Sequence, residues 1–187
     1  METLILASRS PRRQELLARV GIPFEAHETQ ADEHCDLPAD QAVEELSRRK
    51  AAASAAQFPG RYILAADTLV AVNRQSLGKP ADPDDAARML RLLSGRTHQV
   101  YTGITVVTPG GEMTTASDRS DVTFCEVPEA EIRAYVATGE PMDKAGAYAI
   151  QGKASLWISR MEGSPSSVMG LSLYLVRELL SKAGYYD

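Results

Sequence analysis

Leu4-Ile5-Leu6-Ala7-Ser8-Arg9-Ser10-Pro11-Arg12-Arg13 carries an apolar run directly into a hydroxyl-rich turn. The run reads as a buried strand of the parallel or central-sheet type. Ser10 followed by Pro11 reads as a helix start, with Ser10 at the N-cap and Pro11 at the first helical position. The helix covers residues 11–20 and stops at Gly21, where a left-handed cap residue is expected. A strand therefore ends, a turn follows, and a helix N-terminus opens with arginines. Free backbone N–H groups, the positive end of a helix dipole, hydroxyls and guanidinium forks meet at one point. That is an anion site, and phosphate is the usual anion.

Outward from this unit the chain alternates. The spacing predicts a strand at residues 3–8, an Ala-rich helix at 39–56 and a buried strand at 62–73. A helix over 83–94 starts at Pro83 and ends before Gly95. Residues 98–108 and 113–127 are β-rich and join through Pro109-Gly110-Gly111 as an antiparallel hairpin. A short helix at 128–138, a strand at 154–161 and a closing helix at 170–182 complete the pattern. This predicts an α/β fold with a mixed sheet, not a purely parallel βαβ array. At 187 residues it is a single domain, 1–187, with room for a real core.

The formal net charge of −5 argues against general nucleic-acid binding, which needs a basic face. No segment approaches the ~20 apolar residues of a membrane span. No secretion signal is read at the N-terminus, so a cytoplasmic location is expected. Cys35 and Cys125 form no CxxC pattern and fit reduced thiols. His27, His34 and Cys35 lie close together without a second pair of ligands, which disfavours a metal site there. No GxxxxGK[ST] loop is present, against a kinase or NTPase of that kind.

Two buried-looking charges stand out. Asp67 interrupts the apolar run Tyr62–Val72, and an unpaired carboxylate there would cost several kcal/mol. It needs a partner, a metal or the mouth of a cleft. Lys50 shares a helical face with Val43, Leu46 and Ala53, the apolar one. It either snorkels to the surface or meets phosphate in a cleft. Lys79 in Gly78-Lys79-Pro80, Lys144 in Asp143–Tyr148 and Gln151 before Gly152 are weaker signals. Together, convergent basic groups and carboxylates suit a triphosphate with a divalent cation.

The chain resembles the Maf family from residue 4 to about residue 180. The matching segments are Ser8-x-Ser10-Pro11-Arg12-Arg13, Ala66-Asp67-Thr68, Gly78-Lys79-Pro80, Ser94-Gly95 with Thr97 to Gly103, Ser120–Phe124, Asp143–Tyr148 and Ile150-Gln151-Gly152. The resemblance implies a nucleoside triphosphate pyrophosphatase, also called a septum formation protein, releasing pyrophosphate with a divalent metal. It implies a fold similar to inosine triphosphate pyrophosphatase, with a mixed, largely antiparallel sheet, flanking helices and a cleft between two lobes.

By the same resemblance Asp67 is the general base and a metal carboxylate. Ser8, Ser10, Arg12, Arg13, Lys50, Lys79 and Lys144 face phosphate. Glu33, or Asp32 beside it, is a second metal carboxylate for Mg²⁺ or Mn²⁺. Arg12, Thr68 and Gln151 match the branch acting on dTTP and UTP, whereas a Trp, Gln and Glu set marks the branch acting on 7-methyl-GTP. House-cleaning of modified pyrimidine triphosphates, a role in division without catalysis, and a homodimer are further expectations of the resemblance. Gly170-Leu171-Ser172-Leu173 departs from the family's Gly-Leu-Pro-Leu, and Ser172 is expected to cap the last helix instead.

Overall fold

The structure, a computed structural model, describes residues 1–187. Strand β1, Leu4–Leu6, has no exposed surface at any of its three residues. β1 pairs in parallel with β2, Phe24–Ala26, on one side and with β3, Ile63–Val72, on the other. The rest of the sheet is antiparallel: β3 with β4 (Gln75–Leu77) and β5 (Thr97–Val107), β5 with β6 (Met113–Phe124), and β6 with β7 (Ile158–Glu162). The order is β2-β1-β3-β5-β6-β7, with β4 on β3. The mixed, largely antiparallel sheet expected from the sequence is present.

Six helices flank it: α1 (Pro11–Arg19), α2 (Ala39–Gln57), α3 (Pro83–Leu93), α4 (Glu129–Ala137), the single turn α5 (Pro165–Val168) and α6 (Leu173–Lys182). Proline opens α1, α3 and α5, where its missing N–H is not needed. Gly21 follows α1 at φ 72°, in the left-handed region expected of it. Ser172 caps α6, accepting from the Leu175 N–H at 3.4 Å.

Three sequence expectations need correction, and two short strands were not foreseen. Ser10 holds the N-cap position of α1, but its hydroxyl caps nothing. Its own N–H donates to Ser8 Oγ at 3.1 Å. Residues 153–157 form a tight 3₁₀ turn, not the start of a strand. Ala154 and Trp157 are its buried residues, three apart, the repeat of a 3₁₀ turn. The closing helix starts at Leu173: Gly170 takes φ 109°, which no helix runs through, and Ser172 holds the N-cap in an extended conformation. Strands β2 and β4 carry no readable period at three residues each. The β3–β4 hairpin turns on Asn73 and Arg74, both at positive φ, without the glycine that signals such a turn.

The apolar residues divide into two lobes. Leu4, Leu6, Leu16, Leu17, Leu64, Ile104 and Val176 pack together under α1 and α6. On the opposite face Ile5, Ile63 and Val107 pack under Ala51 of α2. At the far end of the long strands, Val70, Leu90, Val100, Phe124, Tyr135 and Trp157 form the second lobe with α3 and α4. β3, β5 and β6 run through both lobes.

β3 is unpaired on one edge in the middle. β1 reaches only to Leu64, and β4 begins only at Val70. Burial along β3 lapses at Thr68 and Leu69, inside that gap. The other edge stays paired with β5 from Ile63 to Ala71.

α2 lies directly on the sheet beside the gap. Gly103 of β5, paired with Asp67, would drive a Cβ into the Val43 carbonyl oxygen and to 2.9 Å from the Glu44 nitrogen. Only glycine lets the helix backbone approach so closely. In the second lobe His98 is fully buried and joins Tyr148 OH at 2.7 Å through Nε2, while Nδ1 has no partner. Burial pushes its pKa down from 6.5 to about 4.

Two outcomes are expected. Gly103→Ala will lower stability by about 1–3 kcal/mol through overpacking, read as a shifted urea midpoint. Between pH 6.5 and about 4 the unfolded chain binds the His98 proton and the folded chain does not, so stability falls as pH falls. Urea titrations of wild type and His98→Gln will diverge by about 3 kcal/mol across that window.

Candidate active site

The gap in β3 opens a cleft of about 550 Å³, within the usual range of small-molecule sites. β1 stops at Leu6, so residues 7–13 turn across the gap and place the N-terminus of α1 at its mouth. Side chains alternate along a strand, so Asp67 and Thr68 leave β3 on opposite faces. Both still line the cleft, because the cleft wraps around an edge with no neighbouring strand.

Asp67 faces α2. Its Oδ1 accepts from Lys50 Nζ at 2.5 Å. The same ammonium lies 3.0 Å from Glu33 Oε1. Lys50 and Asp67 are 13% and 12% exposed, whereas Glu33 is 69% exposed. The inward-facing lysine read from the helix period is thus present, held between two carboxylates. Its buried stripe continues through Ala51 and Ser54, with Ala53 only half-buried. The hydrogen bond and charge of Lys50 pull the Glu33 pKa below its ordinary value, and Lys79 and Arg13 add to the effect.

Arg13 is fixed from two sides. Its Nε donates to the Gly170 carbonyl at 2.7 Å and its Nη1 to Ser8 Oγ at 3.2 Å. Burial pushes its pKa down, opposed by the charge of Asp67, and a guanidinium remains protonated nonetheless. Most arginines of the chain pair with carboxylates, as Arg19 does with Glu15, Arg61 with Glu25 and Arg91 with Glu129. Arg9, Arg12 and Arg13 have no ion pair, and all three line the cleft. Within an acidic protein this is a concentrated, uncompensated positive charge.

The remaining expected residues reach the same cleft in different states. Ser8 is half-buried against Arg13, and Ser10 leaves its hydroxyl free. Lys79 is exposed and unpaired. Lys144 is held within its own loop, donating to the Glu140 carbonyl at 2.6 Å and to Asp143 Oδ1 at 2.7 Å. Gln151 lies exposed at the rim. Thr68 bonds Thr102 Oγ1 at 3.0 Å on the face opposite Asp67. His34 pairs with Asp36 at 3.2 Å. Glu28, Thr29 and Tyr148 also line the cleft, beyond the residues selected as site residues from the sequence. Tyr148 is held by His98, a partner 50 residues away that no local pattern indicates. An apolar wall of Leu69, Val70, Val100, Ile150 and Met169 completes the lining.

Comparison with known proteins agrees in extent. The family described as Maf-like protein matches residues 3–183. A dTTP/UTP pyrophosphatase of Moorella thermoacetica is 50% identical over 98% of this chain and 96% of its own length. One of Symbiobacterium thermophilum is 48% identical over 99% and 96%. One of Deinococcus radiodurans is 47% identical over 97% and 93%. Among solved structures, the Ham1 protein of Staphylococcus aureus matches with a TM-score of 0.54 at 12% identity, over 97% of this chain and 99% of that one. A HAM1 protein of Coxiella burnetii gives 0.54 at 17% identity, over 97% and 100%. At such identities the structures show a shared fold.

Removing the ammonium between the two carboxylates will leave them facing each other uncompensated. Lys50→Met is expected to raise the Glu33 pKa from its depressed position to its ordinary value or above. Carboxyl-carbon NMR titration of both proteins reads this directly, and an unmoved Glu33 would show that Lys50 is not its partner in solution.

Proposed function

This chain belongs to the Maf-like protein family, and we propose that it is a nucleoside triphosphate pyrophosphatase acting on dTTP and UTP. In this reading it cleaves the triphosphate between the α- and β-phosphorus to give the nucleoside monophosphate and pyrophosphate. The observation that carries it is the meeting of uncompensated Arg9, Arg12 and Arg13 with the Asp67–Lys50–Glu33 cluster in one cleft. Near-full-length relatives named dTTP/UTP pyrophosphatase support the substrate.

The roles follow from charge and reach. The triphosphate lies toward the N-terminus of α1, where Ser8, Ser10, Arg12 and Arg13 donate to its oxygens. Lys79 and Lys144 add positive charge from the far lobe. Asp67 Oδ1 is held by Lys50, and Oδ2 makes no hydrogen bond, so Oδ2 can take the proton of an attacking water. Water oxygen bonds to the α-phosphorus. The α–β bridging bond breaks, and its electron pair leaves on pyrophosphate. The arginines neutralise that developing charge.

Glu33 and Asp67 fit a divalent cation in donor type. Their oxygens are hard and already converge on a single positive charge. No cluster of three or more His, Cys, Asp or Glu side chains forms here, and Mg²⁺ commonly takes one or two carboxylates plus phosphate oxygens and water. The metal would supply charge neutralisation on the triphosphate. Arg12 and Gln151 stand at the rim to select the base with Thr68. No helix is long and apolar enough to cross a membrane. We read residues 1–187 as one catalytic domain.

The test is pyrophosphate release with Mg²⁺ or Mn²⁺ from dTTP, UTP, CTP, 5-methyl-UTP, ITP and 7-methyl-GTP. Wild type is expected to favour dTTP and UTP. Asp67→Asn is expected to lose about 10²–10⁴ in kcat with an unchanged circular dichroism spectrum. A preference for 7-methyl-GTP would overturn the substrate, and a fully active Asp67→Asn would overturn the base. Binding of triphosphate without turnover would point to a regulator instead.

A further inference from the structure

The hydroxyl of Thr68 has a fixed polarity. Thr102, fully buried in β5, places its Oγ1 2.9 Å from the Ser167 carbonyl oxygen and 3.0 Å from Thr68 Oγ1. A carbonyl oxygen only accepts, and two facing lone pairs at 2.9 Å would repel. The single proton of Thr102 therefore points to Ser167. Thr68 must supply the proton for the second bond. Its hydroxyl has only one, so toward the cleft it offers lone pairs and no donor.

This polarity excludes the phosphates as its partner, because their oxygens also accept. It calls for an N–H or O–H of the nucleoside. Val168 and Met169, which follow Ser167 in the chain, add apolar lining to the cleft and suit the flat face of a base. Uracil and thymine carry an imide N–H between two carbonyls. Cytosine carries a lone pair at the same ring atom.

We infer that Thr102 is a positioning residue for base selection. By accepting the Thr68 proton it holds that hydroxyl as an acceptor for the imide N–H of uracil or thymine, and turns the cleft against cytosine. The inference rests on the pyrimidine triphosphate reading above. Ser167 does not depend on Thr102 for its carbonyl, which also accepts from the Gly170 N–H at 2.9 Å. The Ser167 hydroxyl is anchored separately on Asp118. Loss of the Thr102 hydroxyl therefore frees the Thr68 proton without orphaning its neighbours.

The experiment compares kcat/KM for UTP and CTP in wild type, Thr102→Val and Thr102→Ser. Wild type is expected to favour UTP. In Thr102→Val the Thr68 O–H turns to the cleft, so UTP falls about tenfold or more and CTP rises. Thr102→Ser keeps the hydroxyl and restores the wild-type ratio. An unchanged ratio in Thr102→Val overturns the inference, as does an equal loss on both nucleotides, which would set Thr68 against the sugar. Where Thr102→Val does not fold, Thr102→Ala removes the same hydroxyl and is read in the same way. Turnover in wild type without preference for UTP over CTP overturns the inference alone. Absence of turnover with every triphosphate overturns it together with the pyrophosphatase reading.

Discussion

The site depends on where one short strand stops. β1 leaves the sheet after Leu6, and β4 joins only at Val70, so the middle of β3 has a free edge inside an otherwise paired sheet. A buried edge would leave backbone groups unsatisfied, and here it opens on a cleft. The same termination turns the chain into α1 and delivers its N-terminus to the gap. The cleft, its anion-binding end and access to both faces of β3 all follow from that break in pairing.

The charges in the gap are arranged asymmetrically. On one face a carboxylate is buried with a lysine, and Gly103 lets α2 come close enough for that pair to form. Breaking it from either side would strand a charge in a nearly dry position. At the mouth Arg13 is held by carbonyl and hydroxyl oxygens instead of carboxylates, and Arg9 and Arg12 have no ion pair. They keep their full charge for an anionic ligand. A protein of net charge −5 thus concentrates positive potential at one place, which favours a small polyanion over a long nucleic acid.

The two lobes contribute differently. The first, under α1, α2 and α6, fixes the charged groups on helices and a strand packed over buried apolar residues. The second presents Lys79, Lys144 and Gln151 on loops, and the buried His98–Tyr148 contact ties one of those loops to β5. Loops on a rigid frame are where specificity is commonly adjusted.

The sequence by itself determined the elements that have a period or a punctuation mark. The strand-turn-helix at residues 4–21, the glycine hairpin between β5 and β6, the proline starts and the inward Lys50 were all legible, because local sterics and burial on one face write them into neighbouring residues. Asp67 was legible as a charge needing a partner. Short β2 and β4, the turn at Asn73-Arg74 and the start of β7 were not, because a three-residue strand or a turn without glycine leaves no distinctive pattern. Only the tertiary structure decided that Lys50 is that partner, that Asp67 and Thr68 share one cleft from opposite faces, and that Thr102 sets the polarity of Thr68. The contacts Lys50–Asp67, Thr68–Thr102 and Thr102–Ser167 join residues 17, 34 and 65 positions apart. Distances of that kind are set by where strands pair and where pairing ends, which no local run of residues encodes.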